Sequence, residues 1–183
     1  SHLRVSDKPI KSTYLIEKAN LIAIHNYSFV ARYDILENLQ NSGVVLLNTA
    51  LSEKELSVDL PQKFVEMLKE KNAKLYVVDA SKIAQDVGLG NKINTIMQSA
   101  FFAVSDILEE SVYMAELKNA IIKTYGRKGD AVVNMNLQAL NMGKTEIKQV
   151  DVKGLLGRNH KKSVETKNKY YLEVIEPINT LKG

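Results

Sequence analysis

Residues 44–47 read Val-Val-Leu-Leu, an uninterrupted apolar run that directly follows the turn signal Asn41-Ser42-Gly43. An apolar run of this length, without alternation, suits a strand covered on both faces, as in parallel sheets. Two further runs share the pattern: Leu21-Ile22-Ala23-Ile24, and Leu75-Tyr76-Val77-Val78 after a lysine-rich helix end. Ile10 to Ile16 is also β-prone. Helical stretches separate these runs, which points to an α/β fold with a mostly parallel or mixed sheet between two helical layers.

The intervening periodicities predict helices. Tyr27 to Leu39 reads as a broken helix with Phe29, Tyr33, Leu36 and Leu39 facing inward. Pro61 suits a first helical turn, with Phe64, Val65 and Leu68 as its apolar stripe and Lys69 and Lys71 near its end. Ile93, Ile96, Met97, Ala100, Phe101, Val104, Ile107 and Leu108 recur at steps of three and four, predicting a helix over 92–109. A second is expected over 111–125, stopping at Gly126, and a third near 128–142, stopping at Gly143.

Composition narrows the chemistry. The 183 residues are 45% hydrophobic and 25% charged, as in an ordinary globular domain. There is no Cys, which removes disulfides, thiolate nucleophiles and Cys-ligated clusters from this chain. Three scattered histidines argue against a His-based metal site. No apolar stretch is long enough to span a membrane. The net charge of +4 is uneven: residues 151–183 carry seven basic and four acidic residues, a net +3, leaving +1 on residues 1–150. The chain therefore divides into a nearly neutral domain over 1–150 and a basic connector over 151–183. The connector lacks interleaved aromatics through Lys169, so a solvated arm describes it better than a nucleic-acid face.

Other motifs are weak. Gly88-Leu89-Gly90 lacks the third glycine of a dinucleotide fingerprint, because Ile93 stands there, and reads as a helix end plus turn. Gly126-Arg127-Lys128-Gly129-Asp130 reads as an inter-helix turn with Asp130 as cap, rather than a phosphate loop. Polar residues do follow three predicted strands: His25-Asn26, Asn48-Thr49 and Asp79. Ligands of open α/β sheets bind outside the carboxyl ends of strands, so His25-Asn26 is well placed, although a lone histidine at a strand end reads first as structural because such rims are generally polar. No catalytic triad and no metal set can be assembled from the chain.

Several segments resemble the pyruvate:ferredoxin (flavodoxin) oxidoreductase family. They are Ser1-His2-Leu3-Arg4, Pro9 to Ile16, His25 to Val30, Leu46-Leu47-Asn48-Thr49, and Lys82 to Gln85 through Gly90. The resemblance continues in Ile93-Asn94, Ile96-Met97-Gln98-Ser99-Ala100-Phe101-Phe102, Lys123 to Asp130 and Val133-Asn134-Met135-Asn136. It implies the gamma-type domain, domain III, as a three-layer sandwich lacking its N-terminal glycine-rich segment. The resemblance further implies a parent enzyme that oxidatively decarboxylates pyruvate to acetyl-CoA on thiamine diphosphate with Mg2+. Its 4Fe–4S clusters would pass electrons to ferredoxin or flavodoxin, with coenzyme A as acetyl acceptor. Thiamine and cluster ligands would lie on other domains of the same polypeptide, leaving this chain no catalytic residue and no activity alone. His2, Arg4, His25 and Asn26 become coenzyme-A-proximal candidates. A cytoplasmic homodimer, without membrane or nucleic-acid partners, is the accompanying expectation. The competing expectation is an independent α/β module binding a phosphorylated ligand or nucleic acid.

Overall fold

The computed structural model describes residues 18–158. His2, Arg4 and the β-prone stretch Ile10–Ile16 lie outside the described residues. The chain order is β1 (Ala19–Ile24), 3-10 helices Tyr27–Ala31 and Tyr33–Leu36, β2 (Leu39–Asn48), α1 (Glu53–Asp59) and α2 (Gln62–Glu70). It continues through β3 (Lys74–Val78), α3 (Ala80–Asp86), α4 (Asn94–Ser105), α5 (Glu110–Tyr125), α6 (Asp130–Thr145) and β4 (Lys148–Val150).

The strands form one mixed sheet in the order β1-β2-β3-β4. The three apolar runs pair in parallel, with Leu21 opposite Val44 and Leu47 opposite Val77. The short β4 pairs antiparallel to β3, Val150 facing Leu75. Alternation along the strands feeds two cores on opposite faces. Val45, Leu47, Leu75 and Val77 meet Leu36, Leu56, Phe64 and Leu68 from the 3-10 region, α1 and α2. On the other face, Leu46 and Val78 meet Ile83, Ile96, Met97, Ala100 and Ala139 from α3, α4 and α6. The result is the expected three-layer α/β arrangement. A smaller cluster joins α5 to α6 through Tyr113, Met114, Ile121 and Leu140.

Several boundaries differ from the sequence reading, each for a physical reason. Asn41-Ser42-Gly43 is not a turn before β2 but an irregularity inside it. The pairing jumps from Ala19–Leu39 to Leu21–Val44, and Ser42 sits at φ +60°. Tyr27–Leu39 forms two 3-10 turns rather than a broken α-helix, with Val30 buried and Phe29 exposed. The helix expected over 92–109 ends at Ser105, because Asp106 turns left-handed at φ +55°. Ile107 and Leu108 are consequently exposed.

Gly143 does not stop its helix, because α6 continues through it to Thr145. Asp130 is the first residue of α6, with Gly129 rather than Asp130 in the capping position. Two elements had no counterpart in the sequence reading, β4 and α1. The latter was legible as Ser52-Glu53-Lys54-Glu55, a full capping box: Ser52 Oγ accepts from the Glu55 amide while Glu55 accepts from the Ser52 amide.

The stretch expected to leave the domain as an arm is packed at its start. Leu155 is buried, and the Leu156 and Gly157 amides both donate to Ser57 O.

Candidate functional site

β1, β2 and β3 are parallel, so their carboxyl ends share one edge of the sheet. His25 and Asn26 follow β1, Asn48 ends β2 and is followed by Thr49, and Asp79 follows β3. The sequence-predicted rim is therefore assembled as expected for its described members.

Asn48 is the keystone of this edge. Its buried side chain donates from Nδ2 to His25 O at 3.0 Å and accepts from the Ala80 amide at 2.9 Å. Nδ2 also reaches Ser81 Oγ at 3.5 Å. One amide thus ties the end of β1, the end of β2 and the start of α3. Ala80 is fully buried, so its N–H would have no water to turn to if Asn48 were lost. Thr49 continues the tie: its amide donates to Val78 O at 3.0 Å and its hydroxyl accepts from the Leu51 amide.

The neighbouring polar groups are caps. Asn26 accepts from the Ser28 amide at 3.0 Å and starts the first 3-10 turn. Asp79 accepts from the Lys82 amide at 2.9 Å and starts α3. Lys82 in turn pairs with Asp86 on the exposed side of α3.

His25 differs from these. It is exposed, and its side chain makes no hydrogen bond to a described residue. Partial desolvation pushes its pKa below the ordinary histidine value, so at neutral pH the ring is uncharged, with one donor and one acceptor nitrogen. A rim of amide and hydroxyl groups with one carboxylate, Asp79, and one imidazole without a hydrogen bond to a described residue can take a polar ligand. It contains no nucleophile poised against a base.

The glycine motifs resolve toward structure. Gly88 (φ +83°) closes α3 in a Schellman arrangement, with the Leu89 amide donating to Ala84 O at 2.7 Å and the Gly88 amide to Gln85 O at 3.1 Å. Gly126–Lys128 is an exposed 3-10 turn between α5 and α6. Among the described residues no group of three His, Asp or Glu side chains is positioned to hold a metal. With no Cys in the sequence, the chain offers no ligand set for an iron–sulfur cluster. Among those residues, no helix is long and apolar enough to cross a membrane.

Residues 1–146 match the family described as "Pyruvate ferredoxin/flavodoxin oxidoreductase". The chain belongs to this family. It is 38% identical over 186 aligned positions to the pyruvate:ferredoxin oxidoreductase of Moorella thermoacetica, covering all of this chain but 16% of that protein. It is 43% identical over 150 positions to the probable pyruvate-flavodoxin oxidoreductase of Escherichia coli, covering 82% of this chain and 13% of the relative. The chain thus corresponds to about one sixth or less of such polypeptides. The pyruvate oxidoreductase subunit PORC of Thermotoga maritima shares the fold, with a TM-score of 0.58 at 24% identity over 74% of this chain and 67% of that one. These matches give no support to an independent phosphate- or nucleic-acid-binding module.

Beyond the rim, sequence reasoning missed the contacts of Asp59 with Tyr27 and with Arg158. Separations of 32 and 99 residues leave no local signal for them.

Proposed function

We propose that this chain is the gamma-type domain, residues 1–150, of a larger enzyme that oxidatively decarboxylates pyruvate to acetyl-CoA, with residues 151–183 as its connector. Family membership, together with relatives about six times longer, carries this reading. Thiamine diphosphate with Mg2+ would supply the decarboxylation chemistry, and clusters elsewhere on the polypeptide would deliver electrons to ferredoxin or flavodoxin. A cytoplasmic homodimer is the assembly this reading adopts.

The contribution of this domain is to bind and orient. The carboxyl-end rim is where open α/β sheets take ligands, and His25 is its one side chain not consumed by a cap or a tie. We assign it, with Asn26, to contact with coenzyme A, alongside His2 and Arg4 of the preceding segment. The neutral ring provides a hydrogen bond to a polar part of the ligand, while Asn48 fixes the backbone that presents it.

Titration of coenzyme A into the chain, followed by amide NMR shifts, tests this assignment. Saturable shifts at His25, Asn26 and Ser28 are expected, and their absence at millimolar ligand would overturn it.

A further inference from the structure

Asp59, the last residue of α1, receives two side chains from different parts of the chain. The Tyr27 hydroxyl donates to its Oδ2 at 2.7 Å, and Arg158 Nη1 approaches its Oδ1 at 3.4 Å. Tyr27 opens the 3-10 turn directly after His25 and Asn26. Arg158 belongs to a strap, described over residues 154–158, that lies along α1 and the start of α2.

The strap is held by backbone. The Arg158 amide donates to Leu60 O at 2.7 Å, and its carbonyl accepts from the Gln62 amide at 3.2 Å, forming a parallel bridge between Pro61 and Arg158. Gly157 sits at φ +79°, and a Cβ there would lie 2.8 Å from Gln62 Cα, so the strap runs backbone against backbone. Lys69 Nζ donates to Leu155 O at 2.7 Å, and Ser57 Oγ to Gly154 O at 3.3 Å.

We propose that Asp59 is a latch through which the strap 154–158 sets the position of the rim turn Tyr27–Ala31. The turn has little else to hold it. It is five residues of 3-10 helix held by one buried side chain, Val30, the half-buried ring of Tyr27 against the same core, and a single side-chain cap from Asn26. Segments with so few buried contacts open locally at low cost, so one added tie shifts their population.

Exposed ion pairs are usually weak because two long side chains must be immobilised together. Here the cost is reduced on one side. Tyr27 is a half-buried ring with few torsions, and the backbone bonds of Arg158 hold its Cα beside Asp59, so the side-chain ordering cost falls mainly on Arg158. The consequence is directional: releasing Arg158, at the far end of the described chain, loosens the turn that carries the β1 rim. This holds whether or not coenzyme A binds there.

Amide hydrogen exchange on the full chain, comparing wild type, Tyr27→Phe, Arg158→Ala and the double variant, tests the latch. The Phe29 and Arg32 amides, which bond to Asn26 O and Phe29 O within the turn, report its opening. The Val77 amide in β3 reports global unfolding. Arg158→Ala should raise exchange at Phe29 and Arg32 about two- to fivefold, the scale of a partly exposed ion pair, with Val77 unchanged. The double variant should go no further than the larger single one, because both act through Asp59. Unaltered turn exchange in Arg158→Ala, turn exchange rising only in step with Val77, or additive effects in the double variant would each overturn the proposal.

Discussion

A Cβ placed on Gly143 would lie 2.6 Å from the carbonyl oxygen of Ile96, so α6 crosses α4 backbone against backbone. The contact is the centre of the helical layer that covers one face of the sheet, where Ser99 Oγ also donates to Leu140 O at 2.6 Å. Two effects oppose each other on substitution. Alanine gains about 0.5–1 kcal/mol of helix propensity over glycine. Overpacking a close contact costs about 1–3 kcal/mol. Backbone cannot move aside as a flexible side chain can, so the cost wins. Gly143→Ala is expected to lower stability by about 1 kcal/mol, read as a lower urea midpoint at constant m. A raised midpoint would show that the helices separate freely.

Asn48→Ala removes the acceptor of the buried Ala80 amide and the donor to His25 O together. Stranding a buried N–H costs about 1–3 kcal/mol. Thermal unfolding should show a loss in that range, accompanied by amide shift changes at both His25 and Ala80. Changes confined to one of the two would mean that the tie between strand ends is not made through Asn48.

Burial, and then the hydrogen bond to Asp59, raise the Tyr27 phenol well above its ordinary value near 10. The protonated phenol is therefore favoured in the folded chain. Its stabilisation is complete below about pH 10, where the unfolded chain also keeps the proton, and fades as pH rises above that. Tyr27→Phe removes this contribution, so the stability difference between wild type and variant should narrow with increasing pH above 10. A constant difference would contradict the hydrogen bond.

Ser52→Ala breaks the capping box of α1. A loss of about 1 kcal/mol is expected, typical of such caps, and denaturant titration would measure it. Glu55 should at the same time lose the Ser52 hydroxyl donor, the larger of the two hydrogen bonds that hold its carboxyl below the usual range, while keeping the backbone N–H; side-chain NMR titration would detect the partial rise.

What the sequence revealed follows from the range of each signal. Apolar runs at 21–24, 44–47 and 75–78 are local, and all three became parallel strands. The polar residues after them were equally local, so the rim could be placed before its contacts were known. Helix ends were harder. Ile107 and Leu108 keep the helical spacing, but the backbone turns at Asp106, and spacing alone does not register a single left-handed residue.

Gly143 misled for a related reason. A glycine that permits close helix contact and one that ends a helix look the same in sequence, and only the position of Ile96 separates them. β4 is three residues long and makes sense only beside β3. The Ser52–Glu55 box, in contrast, is a local signal that the sequence reading passed over. The Asp59 node had no such signal, since its three members come from distant segments.

We infer that this domain contributes coenzyme A contacts rather than chemistry, and His25→Ala in the full-length enzyme separates the two roles. Steady-state KM for coenzyme A should rise about 2- to 10-fold, the scale of one hydrogen bond, while pyruvate-dependent dye reduction without coenzyme A stays unchanged. An unchanged KM, or a fall in the coenzyme-A-independent reduction, would contradict the account.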